Sequence, residues 1–334
     1  NAEAAIAREL CKFLMDGSLY RGAKPVLWSP VEKTALAEAE VEYHDYTSTT
    51  IFVSFKIKTS NILEAKNASI VIWTTTPWTM PGNRAIAFGP EIDYVIVTIT
   101  AIEEGSLAKI GEKLIVAEDL LTNFTKNCKI KNYEINASIK GESLKKTVCN
   151  HPLNGRGYDF DVYVLPANFA NTEEGTGFVH IAPGHGDDDW ELGKINNLEI
   201  PQTVNESGCF YDHVPIFSGM HVYTCSDKVA DVLAAAGGLL GKGKLSHRYP
   251  HSWRSKKPLI FRNTSQWFIS MEKTKLREKA LNAINKTQFF PKSGKSRLKG
   301  MIEERPDWCV SRQRAWGVPI TVFVNKKTGQ PLRD

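Results

Sequence analysis

The apolar residues at the start of the chain recur at helical spacing. Between residues 2 and 16, Ile6, Leu10, Phe13 and Leu14 share one face, and Gly17 follows as a residue at which helices commonly end. This pattern predicts an amphipathic helix. Because the sequence does not open on Met and enters that helix at once, we expect it to begin within a longer protein.

From about residue 48 the hydrophobic period becomes two. Ile51, Val53, Phe55 and Ile57 alternate with their neighbours, which is typical of a half-buried β-strand. Further β-rich runs follow at 69–76, 93–100, 160–166 and 177–183. The pattern therefore predicts a β-rich, barrel-like α+β domain rather than a doubly wound parallel sheet.

Helices return late in the chain. One is predicted to have Ser226 as its N-cap and to end at Gly237 and Gly238, and another is predicted over 271–286. The composition becomes basic and aromatic from about residue 244. We therefore divide the chain into three parts, of which the outer two belong to another body. The parts are an N-terminal stem segment (1–44), a β-rich domain (45–240) and a return segment (241–334).

Composition and cysteine usage narrow the class of protein. The 334 residues include 42 Lys and Arg against 37 Asp and Glu, a net charge of +5 that permits an RNA partner without requiring one. The six cysteines are scattered with no C-x-x-C pair, which is typical of reduced thiols in the cytoplasm rather than of disulfides or a zinc cage. No apolar run reaches the length of a membrane span, so we expect no membrane partner.

The segment WTTTPWTMPGN at 73–83 is the first candidate binding site. Pro77 keeps Thr76 extended, and an extended run of threonines points its hydroxyls alternately to two faces, so only part of it should line one pocket. Neutral hydroxyls and amides of this kind can bind a ribose or an adenine without charge. A threonine-rich edge strand that ends in a turn is the alternative interpretation.

The segment GTGFVHIAPGHGDDDW at 175–190 is the second candidate. Its four glycines surround a short strand that carries His180, and three aspartates follow at 187–189. Carboxylates there favour the positive end of a helix dipole, so the aspartates either only begin a helix or also form a site. With His180 and His185 they are also metal-ligand types, which leaves a metal hydrolase as a further alternative.

Five ordered segments resemble the isoleucyl-tRNA synthetase family, one of the class Ia aminoacyl-tRNA synthetases, and they are spread over nearly the whole chain. The resemblance implies the family's inserted editing domain, called CP1, with flanking helical and extended stem segments. Thr76 stands where valyl and leucyl relatives usually have Arg. Neither the HIGH nor the KMSKS signature occurs, so the resemblance implies editing without aminoacylation. The segments are KPVLWSP with TALAEAEVEY, WTTTPWTMPGN, GTGFVHIAPGHGDDDW, PLIFRNTSQWF and RPDWCVSRQRAWGVPI.

The resemblance implies hydrolysis of valine misattached to tRNA(Ile), with three residues at the centre of the reaction. Asp189 would bind the α-ammonium group, and His180 and Thr79 would form the wall that excludes isoleucine. His180 as a general base is the alternative. The other substrate-binding residues, at the terminal adenosine and in the loop beside it, would be Trp73, Thr74, Thr75, Thr76 and Asn83.

The resemblance also implies the partners. They are the 3′ end of tRNA(Ile) and a valine moiety, carried either on the tRNA or as valyl-adenylate, and the chain is expected to be a monomer. ATP and Mg²⁺ belong to the full-length ligase, and no cofactor is expected in this part. A non-catalytic tRNA-docking module is the alternative, because the basic return segment could supply phosphate contacts or be simply a solvated face.

One departure from the family concerns metal. Many relatives carry a cysteine pair after the first stem segment and a second Cys or Cys/His pair near an H-x-W-R turn, and these hold zinc. Here the corresponding residues are Ser29, Glu32, Ser252 and Ser255. Because serine hydroxyls are poor Zn²⁺ ligands beside thiolates, we expect no structural zinc at this position.

Overall fold

The computed structural model describes residues 1–334 and contains fourteen strands and six α-helices. The helices are α1 (Ala2–Met15), α2 (Leu121–Asn127), α3 (Asp187–Ile195), α4 (Ser226–Ala235), α5 (Leu276–Lys286) and α6 (Ser293–Glu303). The strands are β1 (Leu19–Ser29), β2 (Thr34–Ala35), β3 (Val41–Thr59), β4 (Ser69–Thr74), β5 (Ala85–Phe88), β6 (Asp93–Ile102), β7 (Lys113–Ala117), β8 (Ile130–Lys140), β9 (Val148–Asn150), β10 (Asp161–Pro166), β11 (Phe178–Ile181), β12 (Leu239–Ser252), β13 (Ile260–Ile269) and β14 (Trp308–Cys309).

The chain divides into two units. One comprises residues 43–250, and the other comprises residues 1–42 with 251–334. The chain passes between them within β3 and β12, and the boundaries predicted at 45 and 240 lie inside these two strands. None of the helices is both long and apolar enough to cross a membrane.

Ten strands form one mixed sheet in the larger unit, in the order β12-β3-β9-β10-β5-β11-β4-β7-β6-β8. Residues 51–56 of β3 pair antiparallel with β4, whereas Ile57 and Thr59 pair with β9. Because β3 therefore joins two separate parts of the strand order, the sheet curves around its own core. The predicted fold class, a β-rich and barrel-like α+β domain with flanking helical and extended segments, is confirmed.

The strand β3 is buried on both faces, whereas its alternating pattern predicted only one buried face. Ile51, Val53 and Phe55 are fully buried as predicted, but Phe52 and Ser54 are only 6% and 7% exposed. Phe52 packs into a cluster with residues of α2 and β12, its ring centroid 5.7 Å from that of Phe124. The prediction of a half-buried strand was wrong here because later segments of the chain cover the second face.

The predicted helices are present, with two corrected ends. The first helix ends before Gly17, whose φ of +79° suits a glycine, and α3 begins at Asp187 as predicted. Ser226 is the first helical residue of α4 and Cys225 is its N-cap, so the predicted cap was one residue late. The helix predicted over 271–286 begins only at Leu276, because Lys275 takes a left-handed conformation.

Small side chains on the sheet position α3 next to the end of β4. Leu192 of α3 packs against Ala85 and Ala87 of β5 and Ile181 of β11. Alanines at these positions allow the helix to approach the sheet closely, because they add little volume between the two layers. The start of α3 thereby lies beside β11 and the residues that follow it.

The smaller unit has a four-stranded sheet in the order β14-β13-β1-β2. Its core pairs β1 with β13 from Leu19 opposite Ile269 to Trp28 opposite Ile260. The helix α1 covers this pair through Leu14, which packs with Leu19 and Ile269. Of the other residues on the predicted apolar face, Leu10 and Phe13 are half-buried and pack against this cluster, whereas Ile6 is 56% exposed, so only the last two turns of the helix are covered.

Candidate functional site

A cavity of about 330 Å³ lies in the larger unit between the end of β4, β11 and the start of α3. Both sequence segments singled out above contribute to its lining, although about a hundred residues separate them. The lining residues predicted from the sequence are Trp73, Thr74, Thr75, Thr76, Thr79, His180 and Asp189. Asn83 does not line the cavity and lies behind it, fully buried.

The threonine run leaves the strand earlier than predicted. β4 ends at Thr74, and Thr76 has φ −125° and ψ 70°, so the alternation of faces stops before the run is complete. The expectation that only part of the run faces one pocket was therefore wrong, because all three threonines of 74–76 line the cavity. Pro77 begins a 3₁₀ helix, Pro77–Gly82, of which only Thr79 lines the cavity.

Hydrogen bonds within the chain occupy most of these threonine hydroxyls. The Thr76 N–H donates to Thr74 Oγ1 at 3.1 Å, and the Thr74 and Thr76 hydroxyls are 3.2 Å apart. The Thr79 hydroxyl donates to the Thr76 carbonyl at 2.9 Å. Thr75 is half-buried and its hydroxyl takes no part in these bonds. It is therefore the threonine of the group best placed to bind a ligand.

His180 is held between two partners, which fix its tautomer. The Asn83 side-chain nitrogen can only donate, and its two hydrogens serve its two shortest contacts, the Ala85 carbonyl at 2.9 Å and His180 Nδ1 at 2.8 Å; the Ile181 carbonyl, at 3.3 Å, shares one of them. His180 Nε2 consequently carries the proton and donates to Thr79 Oγ1 at 2.9 Å. Burial, together with the neighbouring His151 and His185, lowers the pKa of His180 to about 3. The imidazole is neutral, and both nitrogens have partners.

This arrangement bears on the role of His180. A general base needs a nitrogen lone pair facing the reacting water, and here the lone pair of Nδ1 accepts from Asn83. The ring instead presents a fixed, uncharged surface, only 8% exposed, beside Thr79. The geometry therefore favours the steric role over the general-base alternative.

Asp189 projects from the first turn of α3 toward the cavity. Its Oδ2 accepts the Ala182 N–H at 2.8 Å, and its Oδ1 makes no hydrogen bond within the chain. Burial raises the pKa of Asp189 to about 7, against the lowering effect of the Ala182 bond, and the charges of Asp188 and Asp187 raise it further. A cationic ligand would relieve the cost of this partly desolvated carboxylate.

The three aspartates of α3 therefore do not act as equivalent caps. Gly186 is the N-cap, and no side-chain capping bond is present at this end of the helix. Asp187 and Asp188 are exposed, whereas Asp189 is turned back onto the loop before the helix. Only Asp189 of the three belongs to the cavity.

The lining is acidic and contains no Lys or Arg. Glu173 and Glu174 join Asp189 there, on a loop that begins with Asn171, whose Oδ1 accepts the Glu173 N–H at 3.0 Å. Such a lining favours a ligand with a positive group over one with phosphate at the same place. The sequence reasoning missed this loop and the residues around it, although the N-T-E-E-G run directly before the second segment is a turn signal. The further lining residues, of which the sequence analysis had considered only His185, and that as a metal ligand, are Phe169, Asn171, Glu173, Glu174, Gly175, Gly177, Phe178, Val179, Ala182 and His185.

The cavity does not assemble a metal site. His185 Nε2 lies 2.6 Å from the Thr203 hydroxyl, and both His180 nitrogens are occupied as described. No group of three or more His, Cys, Asp or Glu side chains anywhere in the chain could hold a metal ion. The metal-hydrolase alternative therefore has no ligand set in this structure.

The comparisons with known proteins identify the family. The sequence model of the class I tRNA synthetases for isoleucine, leucine, methionine and valine matches residues 1–333. The chain belongs to the class I tRNA synthetases. It is 52% identical over 348 residues to an isoleucine–tRNA ligase of Gluconobacter oxydans and 50% identical over 333 residues to one of Pelagibacter ubique.

Both alignments cover 100% of this synthetase chain and 36% of each relative, so the chain spans about a third of the length of these ligases. Among solved structures, the chain is similar to the editing domain of the cytosolic leucyl-tRNA synthetase of P. knowlesi. That likeness covers 59% of this chain and 98% of the other, with 15% identity and a TM-score of 0.43.

Ser29, Glu32, Ser252 and Ser255, the four positions at which we expected no zinc, do not form a set of zinc ligands. The Glu32 carboxylate accepts hydrogen bonds from the Ser252 hydroxyl and the Ser255 N–H and is paired with Arg314. The Ser29 hydroxyl accepts the Glu32 N–H at 3.1 Å. A guanidinium cation and hydrogen-bond donors thus surround the one carboxylate present, and no thiolate is available.

We expect elemental analysis of chelator-free protein to find less than one zinc per chain. The reason is that Glu32 already has cationic and hydrogen-bonding partners, and the serines are weak ligands. As a matched control, the same preparation loaded with excess zinc and dialysed should return to the same low content. Stoichiometric zinc that survives dialysis would contradict this and would point to other ligands, such as His247 and His251.

Proposed function

We propose that the cavity hydrolyses valine misattached to tRNA(Ile), as the editing activity of an isoleucyl-tRNA synthetase. The observation that carries the proposal is one cavity with a carboxylate, Asp189, on one side and a fixed neutral wall, His180 and Thr79, on another. The carboxylate can bind an α-ammonium group, and the wall can limit the size of the side chain beside it. Together they recognise a small amino acid by its charge and its volume.

The chemical need for such a site follows from the limits of binding. Isoleucine and valine, the standard example, differ by one methylene, which is worth only about 1–3 kcal/mol in a hydrophobic pocket. A synthetic site that accepts isoleucine therefore also accepts some valine. A second pocket that admits valine and excludes isoleucine removes the error by hydrolysis.

The reaction we propose requires little chemical power from the protein. Water adds to the acyl carbon of the valyl ester, the bond to the ribose oxygen breaks, and that oxygen takes up a proton, giving free valine and tRNA. Because the ester is already activated, holding it and the water in place can supply much of the rate. The Thr75 hydroxyl, which takes no part in the hydrogen bonds of its neighbours, is the group we assign to orienting the terminal adenosine or the water.

The lining also supports a preference between two substrates. Valyl-adenylate carries the same valyl group as the tRNA ester, but its phosphate joins the acyl group directly. The cavity offers no Lys or Arg for that phosphate, and Glu173 and Glu174 lie in the lining. We therefore propose the tRNA ester as the main substrate and the adenylate as the weaker one.

A docking module without turnover is the alternative function, and the basic return segment was its main support. Several of its cations have partners within the chain. Lys242 pairs with Asp227, Lys256 pairs with Glu42, and Arg262 is only 9% exposed, over the Trp28 ring. Arg262 is thereby withdrawn from phosphate contacts, whereas the pairs of Lys242 and Lys256 are exposed and worth little, so both lysines stay able to contact a phosphate and the choice between docking and turnover rests on the assay.

The test of the proposed function is to add the chain to valyl-tRNA(Ile) and follow the release of valine. We expect release above the spontaneous rate, under conditions in which most of the protein is folded. As a control, the same assay is run on protein that has been heat-denatured. Tight binding of the tRNA without release of valine would favour the docking module and contradict the proposal.

A further inference from the structure

The 3₁₀ helix Pro77–Gly82, which carries Thr79, is held from behind by a histidine that lies outside the cavity. His151 Nε2 donates to the Met80 carbonyl at 3.1 Å, although 71 residues separate them in sequence. The same carbonyl accepts the Asn83 N–H at 3.1 Å. Met80 thus connects His151 to the residue that fixes the tautomer of His180.

The surroundings of His151 leave it a single state. It is 1% exposed, stacks on Tyr158 at a centroid distance of 4.8 Å, and meets the Phe55 ring edge-on. Burial lowers its pKa to about 3, so the ring is neutral. Its Nδ1 accepts the Leu153 N–H at 3.1 Å, which leaves the proton on Nε2 for Met80.

A second side chain, which is half-buried, holds the other end of the same loop. Arg84 Nη1 donates to the Asn83 carbonyl at 2.6 Å, and its guanidinium lies over the Phe160 ring at 4.2 Å. Its charge is balanced by Glu199, at 3.0 Å. Phe160 also packs against His151, with ring centroids 5.4 Å apart, so one aromatic cluster supports both contacts to the loop.

We propose that His151 is a positioning residue of the editing pocket, which sets the place of Thr79 and His180 through its hydrogen bond to Met80. The inference rests on the proposed function. His151 does not line the cavity. Its effect is on the wall, because a shift of the loop moves Thr79 and the Asn83 amide that holds His180.

A purely structural role for His151 is the competing explanation, since a buried histidine with two partners also stabilises a core. The two roles differ in what they change. A structural residue alters the fraction of folded molecules, whereas a positioning residue alters the ratio of valyl to isoleucyl ester hydrolysis per folded molecule. Misplacement of a reacting group by about 1 Å can cost about a hundredfold in rate, so the wall need not move far.

The test compares three substitutions at this position with one control. His151→Phe keeps an aromatic ring for Tyr158 but removes the donor to Met80. His151→Gln restores a donor near the position of Nε2, whereas His151→Asn places its amide near Nδ1 and does not reach Met80. The control is Tyr158→Phe, which removes the bond from the same cluster to the Pro215 carbonyl at 2.8 Å without touching the loop.

We expect His151→Phe and His151→Asn to lower the valyl-to-isoleucyl ratio at least about fivefold, as the wall loosens. His151→Gln should recover most of the ratio, and Tyr158→Phe should leave it unchanged. If His151→Phe does not fold, the comparison of His151→Asn with His151→Gln tests the inference by itself. An unchanged ratio in the Asn variant, with only its melting temperature lowered, would overturn the inference. Failure of the unaltered chain to release valine would instead refute the proposed function itself.

Discussion

Asp189→Asn should slow the deacylation of valyl-tRNA(Ile) by at least about tenfold. The substitution removes the charge that would pair with the α-ammonium group, a contact worth about 1.5–3 kcal/mol, and about 1.4 kcal/mol corresponds to one decade in rate. Replacement by Asn is more specific than replacement by Ala. Asn removes the charge, but its amide oxygen can still accept the Ala182 N–H. The measurement is the single-turnover rate, with the melting temperature taken on the same preparation.

The pH dependence gives a second readout of the same residue. Because the pKa of Asp189 is raised to about 7, the carboxylate is lost as the pH falls through this value. Deacylation by the unaltered chain should therefore decline below about pH 7, and this decline should be absent in Asp189→Asn. Asp188→Asn, on the exposed side of the same turn, is the matched control: it should keep the decline but move it to lower pH, because the charge of Asp188 helps to raise the pKa of Asp189. A helix-start role for Asp189 predicts the reverse, lower thermal stability with unchanged activity per folded molecule.

His180→Ala should convert the cavity into one that also hydrolyses isoleucyl-tRNA(Ile). Removing the imidazole opens the wall beside Thr79, so the methylene that distinguishes isoleucine no longer collides with it. The discrimination at stake is about 10–200-fold, and we expect the valyl-to-isoleucyl ratio to fall at least about tenfold. The measurement is the deacylation rate of both esters, corrected for the folded fraction.

The general-base alternative for His180 predicts a different outcome of the same experiment. Loss of a general base costs about 10²–10⁴-fold in rate and would affect both esters alike. Since the structure gives both His180 nitrogens partners within the chain, we expect a change of selectivity instead. An equal loss on the two esters would contradict the steric role of His180.

The parts of the fold that were predictable from the sequence are those with local periodicity. The helix α1 and the alternating strand β3 could be read from spacing alone, and α3 from its acidic start. The second buried face of β3 could not, because Phe52 is covered by α2 and β12, which lie far along the chain. The helix α6 was missed because its polar sequence has no buried residue and hence no clear apolar face.

The candidate site was predictable to the extent that its residues lie in recognisable segments. The resemblance brought the 73–83 and 175–190 segments together, and the cavity contains side chains from both. The spacing of residues in the sequence did not predict that β4 ends early, at Thr74, so that Thr74, Thr75 and Thr76 all line one cavity. The spacing also did not predict the role of His151, because its contact with Met80 depends on tertiary packing between residues 71 positions apart in the sequence.

The central claim is that this cavity selects valine for hydrolysis by charge and size. The most direct test is to measure single-turnover deacylation of valyl-tRNA(Ile) and isoleucyl-tRNA(Ile) by the same preparation of the chain. We predict that the valyl ester is hydrolysed at least about tenfold faster, because the wall of His180 and Thr79 excludes the larger side chain. Equal rates on the two esters would contradict the claim.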